Sequence, residues 1–339
     1  MTYRQYISQI ANQQVVALRK DVQYQNYSAS QLLQLAYREI AILLDNKAHL
    51  SNLDISLLGS QKIPKKHQKL LNNFLKKRQQ SVPLSYITGE NIFCDKKFKV
   101  NPATLIPRPE TEKLVDLVTD YLQKKSDLPI EDKTCLVDIG TGSGCIIISI
   151  IKKISPEKAK RIDQCAIDIS QKAITTAKTN ANQIIGKDCQ IKFQKISFQK
   201  FLPNLFKKNF DSYVLVANLP YLSKEEYHAI SPEVRGQEPK KALVGGREGQ
   251  EEIIQLIKQV SSLASRKKRK KISIQLFLEI SPTIYPTIKK YCKQYKYGQV
   301  ATRPNKYFAT CPLHSKTFRD LSGKIRFLKI NLNFIGSPE

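Results

Sequence analysis

The stretch Cys135-Leu136-Val137-Asp138-Ile139-Gly140-Thr141-Gly142-Ser143-Gly144 decides how this chain is read. Its first half is apolar and β-type. It breaks at three glycines set two residues apart, and an apolar helix-type segment follows from Gly144 to Ile154. Strand, tight turn and helix in immediate succession form the unit of a parallel α/β sheet. The alternation continues outward. Strand candidates are Cys135–Ile139, Gln164–Asp168, Gln190–Gln194, Ser212–Asn218, Ile272–Ile280 and Ile325–Ile330, with helical candidates such as Ser170–Asn182 between them. The central runs are almost continuously apolar, as strands covered on both faces must be. The expectation is a doubly wound α/β domain beginning near Leu105.

Ahead of it, residues 1–82 read as helices. Ser28-Ala29-Ser30 stands before Leu32, Leu33, Leu35, Ala36, Ile40 and Leu43, mostly at helical spacing. A second segment from Pro64 carries Leu70, Leu71, Phe74 and Leu75, with Lys76, Lys77 and Arg78 in its last turn. These stripes are the core of a small bundle. Residues 83–104 change pattern: short β-type pieces around Tyr86-Ile87-Thr88-Gly89 and Phe98-Lys99-Val100 predict a hairpin or extended linker, broken at Gly89 and Asp95.

Composition narrows the class. A chain of 339 residues with 41% hydrophobic and 25% charged residues suits one large or two modest globular domains. No apolar run reaches the length of a membrane span, and Met1-Thr2-Tyr3-Arg4-Gln5 opens no signal-peptide core, so a cytoplasmic location is expected. The seven cysteines form no C-x-x-C pair, and His49, His67, His228 and His314 are dispersed; reduced thiols and no metal site are the expectation. The formal charge is +27, of which +9 falls in residues 1–100 and +18 in the rest, so both regions are basic. One reading is a partner on or near nucleic acid, or an acidic protein; the other is a Lys-rich composition that keeps the chain soluble. The run Arg266–Lys271 falls in an expected helix–strand loop and reads as a solvated segment.

Gly140, Thr141, Gly142, Ser143 and Gly144 allow a tight turn and close approach of backbone to a ligand, with N–H groups at the helix start. The next strand ends at Asp168, in Ala166-Ile167-Asp168-Ile169-Ser170. A carboxylate at that edge suits ribose hydroxyls. Its structural alternative is an N-cap, for which Ser170 is better placed. Together the two features favour a nucleoside-bearing cofactor. A dinucleotide site wants Gly-x-Gly-x-x-Gly, whereas here the third glycine comes one residue early. That spacing, with Asp138 at the strand end, is the one Rossmann-like methyltransferases use for S-adenosylmethionine. Asn218-Leu219-Pro220-Tyr221 then closes the strand-like run Ser212–Ala217 at the sheet edge where α/β folds bind ligands. Transfer to a planar NH2 needs such parts. The Asn218 side-chain oxygen and the Leu219 carbonyl can accept the two N–H bonds, Pro220 stiffens the loop, and Tyr221 can cover the amide face. The same four residues also make an acceptable turn.

Here the chain resembles the peptide chain release factor N5-glutamine methyltransferases. The most specific match is Leu105-Ile106-Pro107-Arg108-Pro109-Glu110-Thr111-Glu112. Arg78, Pro83, Tyr86, Gly89, Phe93 and Val100 match the approach to it; Glu238-Pro239, Ala242-Leu243-Val244-Gly245-Gly246 and Gly249 match a loop after the catalytic strand. The ending Asp320-Leu321-Ser322-Gly323-Lys324-Ile325-Arg326-Phe327 looks like the family's last hairpin. The resemblance implies a Rossmann-like, seven-stranded class I methyltransferase domain over 105–333, preceded by a helical substrate-recognition domain over 1–82 and a hairpin linker over 83–104, with a tail at 334–339. It implies methyl transfer from S-adenosylmethionine to the glutamine side chain of a release factor's Gly-Gly-Gln motif, with S-adenosylhomocysteine as product. By the same resemblance, Gly140–Gly144 wrap the methionine part, Asp168 holds the ribose, Phe198 contacts adenine, and Asn218 meets both cofactor and acceptor. A monomer is expected, with weak nucleic-acid contact through its basic surface.

Three departures stand out. Leu219 replaces the usual proline, Ser197 replaces the aspartate before the adenine-contacting aromatic, and Glu279-Ile280-Ser281-Pro282-Thr283-Ile284 lacks the usual glycine and glutamine. Two rival functions follow from the residues. A nucleic-acid adenine methyltransferase of the rRNA type also uses Asn-Leu-Pro-Tyr, because adenine and glutamine NH2 pose one recognition problem; the Leu105–Glu112 block and the helical region ahead of it speak against that. A non-catalytic binding protein on the same scaffold would be expected to lose Gly140, Gly142, Gly144, Asp168 or Asn218, and all are present.

Overall fold

The computed structural model describes residues 1–124, 133–265, 271–295 and 313–335. They form two compact units, one of residues 1–90, 100–102 and 228–238, the other of 91–99, 103–227 and 239–339. In chain order the helices are α1 (Tyr3–Leu18), α2 (Ala29–Ala48), α3 (Asn52–Leu57), α4 (Lys65–Gln79), α5 (Leu84–Thr88), α6 (Glu112–Lys124), α7 (Cys145–Lys153), α8 (Pro156–Arg161), α9 (Gln171–Ile184), α10 (Phe198–Lys207), α11 (Lys224–Ala229), α12 (Pro232–Gln237), α13 (Glu251–Ser265) and α14 (Tyr285–Tyr295). The strands are β1 (Glu90–Phe93), β2 (Lys96–Lys99), β3 (Thr134–Ile139), β4 (Ile162–Asp168), β5 (Lys192–Lys195), β6 (Ser212–Ala217), β7 (Lys271–Glu279), β8 (His314–Arg319) and β9 (Ile325–Ile335). Cys311 and all of the basic run except Lys271 lie outside the described residues.

In the first unit, Thr2, Ser28 and Ser51 open α1, α2 and α3 with reciprocal capping by Gln5, Gln31 and Asp54. Ile10, Leu32, Ile40, Leu43, Leu71 and Phe74 fill the core, as the helical stripes require. Arg78, at the end of α4, is buried. Its Nε and Nη2 donate to the two oxygens of Glu39 at 2.9 and 3.0 Å, and its Nη1 donates to Glu233 at 3.0 Å and to the Val82 carbonyl at 2.8 Å. Burial holds the Glu39 carboxyl above its ordinary value, with Arg78 pulling the other way. Arg78→Ala strands two carboxylates, so a loss of about 3–5 kcal/mol is expected in urea unfolding at neutral pH. A change below about 1 kcal/mol would contradict this account.

The segment Tyr86–Thr88 is helical, contrary to the β-type expectation. Pro83 opens α5, the Thr88 hydroxyl donates to the Leu84 carbonyl one turn back at 3.1 Å, and Gly89 ends the helix at φ 80°. The hairpin starts one residue later. β1 and β2 are joined through Cys94 and Asp95, whose φ angles of 46° and 57° are those of a tight two-residue turn. Residues 91–99 fold with the second unit and 228–238 with the first, where the sequence pattern suggested a linker over 83–104 and one unbroken domain from 105.

The second unit is built on one seven-stranded sheet of order β5-β4-β3-β6-β7-β9-β8. β3 through β7 pair in parallel, and β9 is antiparallel to both β7 and β8. Every residue of β3 and β6 is buried. Val137, Leu215 and Ala217 enter one apolar layer and Leu136, Val214 and Val216 the other, which is why these strands carry no polar alternation. The edge strand β5 exposes Lys192 and Lys195 and starts later than the expected Gln190. β9 runs on through Ile335, past the expected strand end at Ile330. Strand order reverses at β3, so the crevice beyond the carboxyl ends of β3, β4 and β6 is where this architecture takes a ligand. Among the described residues, no helix is long and apolar enough to cross a membrane.

Candidate active site

A cavity of about 610 Å³ opens at that edge. One end is lined by Gly140, Thr141, Gly142, Ser143, Asp168, Ile169, Ser197 and Phe198; Asn218, Leu219, Pro220, Arg108 and Thr111 line the other, with Lys240, Val244 and Glu252.

The glycine loop is fastened to the next strand. The N–H groups of Gly140 and Thr141 both donate to the Ile167 carbonyl at 2.9 Å, and the Gly142 N–H donates to Asp168 Oδ2 at 3.0 Å. A Cβ added at Gly142 would meet nothing within 4 Å, so its backbone borders open space. Gly144 does not line the cavity. A Cβ there would lie 2.8 Å from Ile148 and 3.1 Å from Ala177, so its absence lets α7 approach α9. Asn180 of α9, fully buried, donates to the carbonyls of Ser143 at 2.8 Å and Lys99 at 3.0 Å and accepts the Lys99 N–H at 2.7 Å. It ties the loop to β2. Nothing marked it in sequence beyond an amide on the same helical face as Ala173, Ala177 and Ala181. Asp138 sits behind the loop, fully buried, with Oδ2 accepting from the Thr141 hydroxyl at 2.7 Å; burial raises its carboxyl to about 7.

Asp168 accepts the Ser170 N–H on its other oxygen at 2.8 Å, so its carboxylate is held rigidly at the cavity wall. The N-cap of α9 is Ser170, whose hydroxyl accepts from Ala173, which removes capping as the role of Asp168. Ile169 beside it is 56% exposed although apolar, and it lines the cavity. The only mark of Ile169 in sequence is its place directly after a strand-end carboxylate. Phe198 lines the cavity while packed into the core, and Ser197 makes no capping bond to α10.

At the other end, Asn218 Nδ2 donates to Thr111 Oγ1 at 3.3 Å, and Thr111 Oγ1 donates to Glu279 Oε2 at 2.7 Å. The threonine hydroxyl has one proton. With that proton donated in a hydrogen bond to Glu279, only the hydroxyl's lone pairs face Asn218, so the amide turns its NH2 inward and keeps its oxygen for another donor. Glu279 is 1% exposed, and burial raises its carboxyl to about 7. The Leu219 side chain packs on the glycine loop, where a Cβ at Gly140 would come within 3.2 Å of it. Tyr221 is not among the cavity-lining residues. Its ring packs against the core, and burial near Glu279 pushes its hydroxyl up to about 12.

The other residues singled out in sequence fall around this centre. The Leu222 N–H donates to the Leu243 carbonyl at 2.9 Å and the Gly245 N–H to the Leu222 carbonyl at 3.0 Å, so the Ala242–Gly249 loop is stitched to the asparagine loop. In the Leu105–Glu112 block, Pro107 accepts from the Asn91 side chain at 3.0 Å and Glu112 accepts the Cys94 N–H at 2.9 Å, which anchors the hairpin.

Comparison with known proteins places the chain by sequence. Residues 130–306 match a family model described as a methyltransferase domain. A release factor glutamine methyltransferase of Bacillus cereus is 33% identical over 190 residues, which cover 56% of this chain and 62% of the relative. Those of Nitratidesulfovibrio vulgaris and Chlamydia trachomatis are 35% and 34% identical over 64% and 66% of this chain and 68% and 70% of their own lengths. The matched region thus spans about two thirds of these relatives. By motif, by sheet order and by these matches, the chain belongs to the release factor glutamine methyltransferase family.

Proposed function

We propose that this chain methylates the side-chain amide nitrogen (N5) of the glutamine in a release factor's Gly-Gly-Gln motif, using S-adenosylmethionine. The observation that carries the reading is the orientation of Asn218, whose NH2 is engaged by Thr111 and whose oxygen remains for a bound amide. A carboxamide nitrogen is a poor nucleophile because its lone pair is delocalised. The bound cofactor supplies a methyl group on a positively charged sulfur. The protein's part is to hold the nitrogen on line: Asn218 Oδ1 and the Leu219 carbonyl accept its two hydrogens, Pro220 limits the loop, and Tyr221 braces it from the core. Each such bond contributes only about 1 kcal/mol net. Orientation accounts for the rest and can be worth roughly 7–11 kcal/mol. No strong general base is needed before transfer.

The residues present fit the cofactor. Gly142 leaves open space against the cavity, Gly140 to Ser143 offer close backbone, Asp168 offers a fixed carboxylate to ribose hydroxyls, and Ile169 and Phe198 offer apolar surface to adenine. Asp168→Ala is expected to weaken S-adenosylmethionine binding about 10²-fold in calorimetry, since charged hydrogen bonds contribute about 1.5–3 kcal/mol each. An unchanged affinity would remove Asp168 from the site. The helical unit is assigned to gripping the release factor. The charge of +27 supports weak contact with nucleic acid, and the chain is read as a cytoplasmic monomer.

The test is incubation with labelled S-adenosylmethionine and, in parallel, a release factor, its variant with the Gly-Gly-Gln glutamine replaced, and rRNA. Label is expected only in the intact release factor. Label in rRNA alone, or in the replaced variant, would sink the assignment.

A further inference from the structure

We infer that Thr111 and Glu279 are positioning residues for methyl transfer: Glu279 fixes the Thr111 hydroxyl, and Thr111 thereby fixes which end of Asn218 meets the acceptor amide. The inference rests on the function proposed above and deepens it. Its ground is the ordered pair of hydrogen bonds, Asn218 Nδ2 to Thr111 Oγ1 at 3.3 Å and Thr111 Oγ1 to Glu279 Oε2 at 2.7 Å. A free asparagine amide can present either end. Here a carboxylate that can only accept receives the threonine O–H bond, the threonine can then only accept from its other side, and the asparagine must give its NH2. Direction thus passes from a residue at the end of β7 through the Leu105–Glu112 block to the loop after β6.

The same logic makes the direction depend on protonation. A protonated Glu279 can itself donate to Thr111. The threonine proton is then released toward Asn218 and the amide loses its fixed sense. The groups around Glu279 are Arg326 of β9 and Arg108, which favour its charge, Glu110, which opposes it, and Tyr221. Burial is the largest influence and sets the carboxyl at about 7. Activity carried by the carboxylate form is present above that pH and falls as pH drops through it.

The experiment compares methylation of a release factor by wild type, Thr111→Val, Thr111→Ser and Glu279→Gln between pH 5.5 and 8.5. The Asn218 carboxamide proton resonances are followed without substrate over the same range. Thr111→Val is expected to lower kcat 10- to 100-fold with S-adenosylmethionine affinity unchanged, and Thr111→Ser to restore it to within about threefold. Glu279→Gln, which cannot titrate, should flatten the acid limb of the wild-type profile, and the carboxamide resonances should shift with pH in wild type only. A Thr111→Val enzyme within twofold of wild type, a Thr111→Ser enzyme as slow as the valine variant, or an unchanged acid limb in Glu279→Gln would overturn the inference. If wild type fails to methylate the release factor, the functional reading falls, while the resonance titration still decides the relay.

Discussion

Asn218→Ala is expected to lower kcat for methylation of the release factor about 10³-fold, equivalent to about 4 kcal/mol of transition-state stabilisation. The loss of one preorganised partner in other enzyme sites costs about 10²–10³-fold. Here the alanine also leaves the acceptor nitrogen free to rotate, which forfeits part of the orientation on which the reaction depends. Asn218→Asp should recover little. It keeps an oxygen toward the acceptor, but its second oxygen would face Thr111, whose single proton already serves Glu279. Two carboxylates would then compete for one donor in a buried site. Single-turnover transfer of labelled methyl separates these outcomes from binding. S-adenosylmethionine affinity should change by only a few-fold, because Gly140 to Ser143, in the loop after β3, and Asp168, at the end of β4, form a separate part of the cavity wall. An Asn218→Ala enzyme that retains more than a tenth of wild-type kcat would show that nitrogen orientation is supplied elsewhere.

β3 and β6 were legible in sequence because a strand buried on both faces has to be apolar at every position, whatever its partners. The glycine-loop end of the cavity was legible for a related reason: glycines between a strand and a helix start, and a carboxylate ending the next strand, are each marked by their immediate neighbours in sequence. Sequence could not show what depends on long loops closing. Thr111 and Glu279 stand 168 residues apart, and neither carries a local sign of the other. Glu279 reads as the charged end of a strand, and Thr111 as one letter in a matching block. Tyr221 shows the converse limit. Its place in the tetrapeptide suggests a ring over the acceptor, and the same residue, partly buried, also packs against the core beneath the loop, a contact its four-residue setting does not announce. α5 was misread because Tyr86-Ile87-Thr88 has β-type composition, while Pro83 and Gly89 at its borders determine a single helical turn.

Gly245→Ala is expected to reduce methyl transfer at least 10²-fold and to destabilise the fold by about 1–3 kcal/mol, as buried overpacking does. A Cβ at Gly245 would stand 2.2 Å from the Pro220 carbonyl oxygen and 2.4 Å from the Gly249 carbonyl oxygen. Both obstacles are backbone, so no side chain can swing aside. The nearest relief is to push the two loops apart, which stretches the bonds from Leu222 to Leu243 and from Gly245 to Leu222. Those bonds hold the chain one residue past Tyr221, and any shift passes directly to Pro220 and the Leu219 carbonyl. A displacement of about 1 Å at a positioning group can cost 10²-fold in rate. Gly236→Ala is the control: it lies in α12 with nothing within 4 Å of the added methyl, so stability should be unchanged or slightly raised. The discriminating readout is kcat beside S-adenosylmethionine affinity. A damaged acceptor loop lowers the first and spares the second, whereas collapse of the whole sheet would lower both. Full activity in Gly245→Ala would mean that the Ala242–Gly249 loop yields freely and does not set the position of the acceptor carbonyl.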